Sequence, residues 1–255
     1  MKHEFLNGDA MKELIVDNSV DLFVMWPPYL GVDIVRYGNI QQLNKINDRI
    51  IFSQKIAKIA KNCEKALKDS GNLILIFPSN DPSLLHYMTK YINKKTKLMY
   101  NGVLIWDYSS KKNVDPNTLN SHFCHVVWYS KGNPKVNMEF LSKNNYGIMS
   151  YELTPDYLVE KYGQMGHVYD ALPEPIAEHL IQLFSDPGDT VANVLGGTGT
   201  VSIAAENTGR DSVYNDISYV QLTIAKKRME DLVASKKKKD IKKKLKSAEE
   251  DEDEE

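Results

Sequence analysis

Short apolar runs alternate with amphipathic stretches along the chain. Apolar residues recur at helical spacing from Ile56 to Leu67, a second stripe of this kind begins near Pro175, and a third helix is predicted from about Ser218 to Leu232. This alternation predicts an α/β fold with a doubly wound, mostly parallel sheet of the Rossmann-like type. The predicted strands are Asp21–Met25, Asn72–Phe77, Gly102–Trp106, His125–Ser130, Thr190–Leu195 and Asp211–Asp216.

The first predicted helix carries a row of lysines on the side opposite its apolar stripe. Charged residues at this spacing are typical of a solvated helix face, and that is our interpretation of the row. Its members are Lys55, Lys58, Lys61, Lys65 and Lys68.

Polar segments interrupt the alternation at residues 35–48, at 107–120 and from 133 to about 166. Long loops in a compact α/β domain are usually lids or binding loops, or else disordered. All of them can lie at one edge of the sheet, where they would surround a site.

Composition fits one intracellular domain. The chain has 255 residues, 42% of them hydrophobic, and we assign residues 1–234 to a single domain. The two cysteines, Cys63 and Cys124, provide neither a disulfide framework nor a cysteine-rich zinc site, which indicates a reducing, cytoplasmic setting, or a nucleoid or nuclear one. No apolar run approaches the roughly 20 residues that span a bilayer, so we expect no membrane association.

The last residues, 235–255, are lysine-rich and then wholly acidic, and we expect a disordered tail. An alternative is that the lysines add phosphate contacts that the acidic residues mask in the free protein. The net charge of the whole chain is only -2, so a nucleic-acid surface would have to be a local patch.

A glycine-rich turn, LGGTGT, separates a predicted strand from a helix that begins at Thr200. Glycines there let the backbone approach a ligand, and the helix N-terminus offers unpaired N–H groups. Such a turn also occurs where strand and helix simply pack closely. The next predicted strand ends in Asp216, whose carboxylate can accept hydrogen bonds from ribose hydroxyls, and this favours an adenosine-type cofactor. The turn matches neither a complete GxGxxG nor a GK[ST] phosphate loop.

A second turn, WPPY, follows the first predicted strand as Trp26, Pro27, Pro28 and Tyr29. The two prolines fix an extended backbone without N–H donors, and their carbonyl oxygens are free to accept hydrogen bonds. Ligands of open α/β sheets bind at the carboxyl ends of the strands, and both turns follow strands there. The sequence therefore predicts one cleft between the two turns.

With both turns in this order, the chain resembles the amino-group DNA methyltransferases of the β arrangement, over about residues 6 to 231. The segments that carry the resemblance are NGDAMKELIVDNSVDLFVMWPPYLG, EKALKDSGNLILIF, SHFCHVVWYSKGN, LPEPIAEHLIQLFSDPGDTVANVLGGTGT and NDISYVQLTIAKKRM. In that family a D/N/S-PPY catalytic motif precedes an FxGxG motif for S-adenosylmethionine.

The resemblance implies a fold of the S-adenosylmethionine-dependent methyltransferase type and methylation of adenine N6 or cytosine N4 in DNA, on a base flipped out of the duplex. The catalytic positions are Trp26, Pro27, Pro28 and Tyr29, with Tyr29 stacking on the base and the Pro27 carbonyl accepting from its amine. It implies no metal. The cofactor positions are Asp9, Asn193, Leu195, Gly197, Thr198, Gly199, Thr200 and Asp216.

The chain departs from the family pattern in both motifs. An indole has one N–H donor and no acceptor for the amine, so Trp26 removes one of the two expected hydrogen bonds. Losing one such bond typically lowers a rate on the order of 10² to 10³. Trp26 can also act as a stacking wall, or simply fill a disused site. Asn193 and Val194 replace the usual Asp-Pro. Asp9 is a cofactor position by the resemblance, and the alternative is that its side chain only caps a turn.

These departures leave two functions open: a site-specific DNA methyltransferase, as in restriction-modification, or a catalytically impaired homologue that serves as a DNA-binding or regulatory subunit. A homodimer or an active methyltransferase partner subunit is expected from the family. Residues 133–170 are the candidate for target recognition. Their aromatic and basic residues suit base stacking, but equally a packed mini-core or a subunit interface: Tyr146, Tyr151, Tyr157, Tyr162, Tyr169, Lys143 and Lys161. His125 and His167 have no partners at metal-ligand spacing.

Overall fold

The computed structural model describes residues 1–28, 48–78, 82–108, 123–144, 148–151, 156–168 and 171–252. Along these ranges strands and helices alternate as the sequence predicts. The elements are β1 (His3–Asn7), β2 (Val20–Met25), α1 (Arg49–Ala66), β3 (Leu67–Pro78), α2 (Pro82–Lys95), β4 (Met99–Asp107), β5 (Phe123–Ser130), α3 (Met138–Lys143), β6 (Ile148–Ser150), α4 (Asp156–Tyr162), α5 (Glu174–Phe184), β7 (Thr190–Asn193), α6 (Thr200–Thr208), β8 (Asp211–Asp216) and α7 (Tyr219–Glu252).

The described strands form one sheet in the order β1-β8-β7-β2-β3-β5-β4-β6. All neighbouring pairs are parallel except those of β5, which runs antiparallel to both β3 and β4. The predicted α/β fold with a mostly parallel sheet is thus confirmed. The chain moves from β7 to β8 on one side and from β2 to β3 on the other, so the switch point of the sheet lies between β7 and β2.

Both faces of the central strands are buried, which explains why these strands read as continuous apolar runs. One face packs on α1 and α2, and the other on α5 and α6. Alternate residues serve the two faces: Phe23, Met25, Leu73 and Leu75 on the first, and Leu22, Val24, Ile74 and Ile76 on the second.

Helix α1 follows the predicted apolar spacing, with Phe52, Ile56, Ile59 and Cys63 buried. It begins after Asp48, whose carboxylate accepts from the amides of Ile50 and Ile51 at 2.8 and 2.9 Å. This N-cap satisfies amides that have no partner within the helix. None of the helices in the described ranges is long and apolar enough to cross a bilayer.

Residues 235–252 differ from the prediction of a disordered tail. Helix α7 continues through them and ends at Glu252. Lysine and glutamate are good helix formers, and a segment that extends an existing helix needs no new nucleus. The helix is also tied to the domain at Lys236, whose ammonium donates to the backbone oxygen and the carboxylate of Glu206 at 2.9 and 3.0 Å.

The sheet brings four chain segments together at one edge. Strands β1, β8, β7 and β2 are adjacent and parallel, so their carboxyl ends lie side by side. The segments that leave these ends are Gly8–Met11, Ile217–Ser218, Val194–Gly199 and Trp26–Pro28.

Candidate active site

A cleft opens at this edge of the sheet, lined by residues from all four segments and by parts of α1, α6 and α7. It brings together nearly all of the described residues that the sequence singled out. Those that line it are Asp9, Trp26, Pro27, Pro28, Asn193, Leu195, Gly197, Thr198, Thr200 and Asp216. Gly199 lies in the same turn but does not line the cleft, and Tyr29 lies outside the described residues.

The three glycines of the turn fall into two groups by what surrounds them. A Cβ on Gly196 would lie 2.2 Å from the buried ring of Tyr214, and one on Gly199, at φ +84°, would lie 2.6 Å from Ala225. Gly197 has φ +49°, but a Cβ there would meet no protein atom within 4 Å. Gly196 and Gly199 therefore allow close packing, whereas Gly197 leaves the cleft open to a ligand.

Asp216 fixes the glycine turn to the end of β8. Its two carboxylate oxygens accept from the amides of Gly197 and Ser218, each at 2.8 Å. Burial raises the pKa of this carboxyl, and the amides of Ser218, Gly197 and Ile217 act in the opposite direction. A carboxylate has about four acceptor sites, more than the backbone amides use, so the group can still accept from a hydroxyl of a ligand.

The side chains of Asn193 and Asp9 cap turns while they line the cleft. The side-chain oxygen of Asn193 accepts from the backbone amide of Leu195 at 2.9 Å, so this position keeps a hydrogen-bond acceptor. Asp9 accepts from the amide of Met11 at 2.9 Å. The turn-capping interpretation of Asp9 is therefore correct, and it is compatible with contact to a ligand because the residue also lines the cleft.

Arg228 of α7 is a site residue that the sequence analysis missed. Its guanidinium is 3% exposed and donates to the carbonyl oxygen and the hydroxyl of Thr198 at 2.8 and 2.9 Å, and to the hydroxyl of Thr200 at 3.1 Å. It also pairs with Glu174 at 2.7 Å. Arg228 therefore holds the turn in place through its hydrogen bonds to Thr198 and Thr200. The available signal was an arginine one turn after Ala225, on the buried side of a helix.

Trp26 packs among other aromatic rings. Its ring centroid lies 5.4 Å from that of the fully buried Trp106, at an interplanar angle of 53°, and Trp106 lies 5.7 Å from Tyr108. The indole N–H of Trp106 donates to the carbonyl of Tyr151 at 2.9 Å. Trp26 is thus both a wall of the cleft and a partly buried member of the core on the α5 side.

Three tyrosines from the candidate recognition segment are tied to their own domain. Tyr151 is hydrogen-bonded to His179 at 2.9 Å, and Tyr157 donates to Glu174 at 2.6 Å. Tyr162 donates to Asp231 at 3.0 Å and packs in a small cluster with α7. These contacts favour the mini-core interpretation for the three residues. Tyr146 and Tyr169 lie outside the described residues, and a role of the segment in target recognition stays a prediction.

The two histidines have different surroundings. His125 stacks against Phe77 and Phe123, with centroids 5.6 and 5.4 Å away, and burial lowers its pKa. His167 lines the cleft, and its carbonyl oxygen accepts from the Gln221 side chain at 2.9 Å. Within the described part of the chain, no cluster of three or more potential ligands is arranged to hold a metal ion.

Comparison with known proteins identifies the family. The sequence profile of the N6/N4 DNA methylases matches residues 20–227. The chain belongs to this family. Members of the family use S-adenosylmethionine as methyl donor.

The chain is similar to type II methyltransferases. It is 24% identical to M.HinfI of Haemophilus influenzae in an alignment 259 residues long, which covers 90% of this chain and 70% of that protein. The fold matches the cytosine-N4-specific PvuII DNA methyltransferase with a TM-score of 0.70, at 17% identity and over 91% of both chains. It also matches the M1.HpyAVI–SAM complex with a TM-score of 0.63, at 16% identity, over 89% of this chain and 98% of that one.

The different roles of the glycines give a testable contrast. We expect Gly196→Ala to lower the free energy of unfolding by about 3 kcal/mol, because the ring of Tyr214 is buried and its hydroxyl donates to Gly197 at 2.7 Å. Gly197→Ala should lower it by only about 1 kcal/mol, from the positive φ, yet weaken S-adenosylmethionine binding because the new methyl group faces the cleft. Urea unfolding and calorimetric titration measure the two effects. Equal stability losses, or unchanged affinity in Gly197→Ala, would contradict this assignment.

Removal of the Arg228 guanidinium should loosen the same turn. We expect Arg228→Met to lower the free energy of unfolding by about 3 kcal/mol, since it breaks a largely buried ion pair and leaves Thr198 and Thr200 without their donor. Lys226→Met, an exposed position on the same helix, is the matched control and should leave the unfolding curve nearly unchanged. Similar urea midpoints for both variants would show that the turn does not depend on Arg228.

Proposed function

We propose that this chain transfers a methyl group from S-adenosylmethionine to the exocyclic amine of adenine (N6) or cytosine (N4) in DNA. The observation that carries the proposal is the single cleft that both turns line, with Gly197 and Asp216 at one part and Trp26, Pro27 and Pro28 at another. A methyl donor and a target base bound in this cleft would be held side by side, as direct transfer of the methyl group between them requires.

The residues of the cleft suit the cofactor. The open face of Gly197 gives room for close backbone contact, and the Asp216 carboxylate can accept from ribose hydroxyls. Asp9 and Asn193 add polar groups at the neighbouring strand ends, and Leu195 contributes an apolar side chain. S-adenosylmethionine supplies a methyl group on a sulfonium, which an uncharged amine can attack.

The WPPY turn suits the acceptor base. The amine nitrogen forms its new bond to carbon as the sulfur–carbon bond breaks, the electron pair of that bond stays on sulfur as the neutral thioether leaves, and the nitrogen then loses a proton to solvent water. Carbonyl oxygens that accept from the NH₂ group help the nitrogen become tetrahedral, and Pro27, which lines the cleft, is the residue proposed to provide one. Tyr29, which lies outside the described residues, is proposed to stack on the flipped base.

Trp26 supports a second candidate function, a catalytically impaired subunit that binds DNA beside an active partner. The indole offers no acceptor for the amine, and it is packed against Trp106 at 5.4 Å. We nevertheless favour the enzyme, because the cofactor part of the cleft keeps its glycines and its acidic residue. Trp26 is then an aromatic wall beside the base, and Pro27 is left as the acceptor of the amine.

Mass spectrometry of nucleosides tests the proposal. The protein is incubated with S-adenosylmethionine and unmethylated DNA of mixed sequence, and the DNA is digested and analysed. We expect N6-methyladenine or N4-methylcytosine from the wild-type protein, and a rate higher by on the order of 10² for Trp26→Asp, which restores an acceptor.

Trp26→Phe is the matched control, since it keeps an aromatic ring beside Trp106 without an acceptor. It should behave like the wild type. Methylation by Trp26→Asp alone would assign the natural chain to the impaired class, with an intact cleft. Methylation by neither protein, with both folded, would overturn the proposal.

A further inference from the structure

The described residues that line the cleft include one lysine and no arginine. That lysine is Lys55, in the second turn of α1, and Ile59 lines the cleft one turn later. The acidic residues of the lining are Asp9 and Asp216. The carboxylates of both are already engaged by backbone amides, of Met11 in one case and of Gly197 and Ser218 in the other.

Lys55 differs from the rest of the predicted lysine row, in which Lys68 lies at the start of β3 and the other members lie on α1. Lys61 pairs with Glu64, Lys65 with Glu13, and Lys68 with Asp21, so these positions have the surface role that the sequence predicts. Lys58 is exposed. Lys55 is partly buried, and it forms no ion pair with the residues that the structure describes.

A lysine on the wall of a cleft, with no carboxylate partner among the described residues, favours the binding of an anion. An ammonium group has three N–H donors, which suit a carboxylate or a phosphate oxygen. The wall of a cleft is where such an anion can reach it. Lys55 thus has a position that the interpretation of the row as a solvated face did not include, because it and Ile59, in the second and third turns of α1, line the cleft.

We propose that Lys55 binds the carboxylate at the amino-acid end of S-adenosylmethionine. This inference rests on the proposed function. Asp216 is suited to the ribose, so the adenosine part would lie at the end of β8, and the carboxylate is the one anionic group that the cofactor carries. The other source of the same chemistry is a phosphate of the target DNA. The cofactor is favoured because Lys55 shares its cleft with the glycine turn.

The test compares two ligands that differ by one carboxylate, S-adenosylmethionine and its decarboxylated analogue. Dissociation constants are measured by calorimetric titration of the full-length wild type, Lys55→Met and Lys55→Arg, with Lys58→Met as the matched control from the exposed part of the same row. We expect Lys55→Met to weaken S-adenosylmethionine binding about 10-fold or more and to leave the analogue unaffected. Lys55→Arg should keep most of the affinity, and Lys58→Met should change neither value.

Other outcomes overturn the inference in distinct ways. Equal weakening of both ligands by Lys55→Met would mean that the lysine supports the shape of the cleft and does not contact the carboxylate. Unchanged cofactor affinity with weaker binding of a DNA duplex would assign Lys55 to a phosphate. Failure of the wild type to bind either ligand would instead refute the cofactor site itself, and with it the proposed function.

Discussion

The hydrogen bond from the Gly197 amide to the Asp216 carboxylate, 2.8 Å long, joins the turn after β7 to the end of β8. The rest of the site depends on this link. With the turn fixed in this way, Gly197 lines the cleft. Arg228, which lies on α7, donates hydrogen bonds to Thr198 and Thr200 of the same turn. The turn is thus fixed by hydrogen bonds to two other elements of the protein, β8 and α7. A ligand then meets a preformed surface, which lowers the entropy cost of binding.

The second turn is constrained differently. Pro27 and Pro28 restrict the backbone covalently, and the ring of Trp26 is packed against Trp106. In this family the first residue of the motif provides an acceptor, and here that position is part of a hydrophobic core. Chemistry at this site would have to rely on backbone carbonyls and on the placement of the reactants. The cofactor part of the cleft and the acceptor part have therefore diverged from the family pattern to different extents.

The sequence was sufficient for those parts of the structure that local patterns determine. Buried parallel strands such as β2 and β3 read as apolar runs, and the apolar spacing of α1 marked its helix. Strand β1, with the sequence HEFLN, was missed because its place depends on pairing with β8 more than 200 residues later. The helical end of α7 was missed because its composition is equally typical of disorder.

The same difference between local patterns and long-range contacts separates the features of the site that the sequence predicted from those that it missed. The residues of both turns were found from motifs, and the structure places the described ones around one cleft. Long-range contacts decided the remaining roles. No local signal indicates that Arg228 reaches Thr198, that Trp26 meets Trp106, or that one lysine of an apparently solvated row faces a cleft.

The central claim is that this cleft binds S-adenosylmethionine through Asp216 and the glycine turn. Calorimetric titration of the cofactor into the wild type and Asp216→Asn tests it most directly. The account predicts binding of one molecule per chain, weakened about 10-fold or more by Asp216→Asn, because the amide offers fewer acceptors to the Gly197 amide and to a ribose. Absence of binding by the folded wild type, or equal affinity in both proteins, would contradict it.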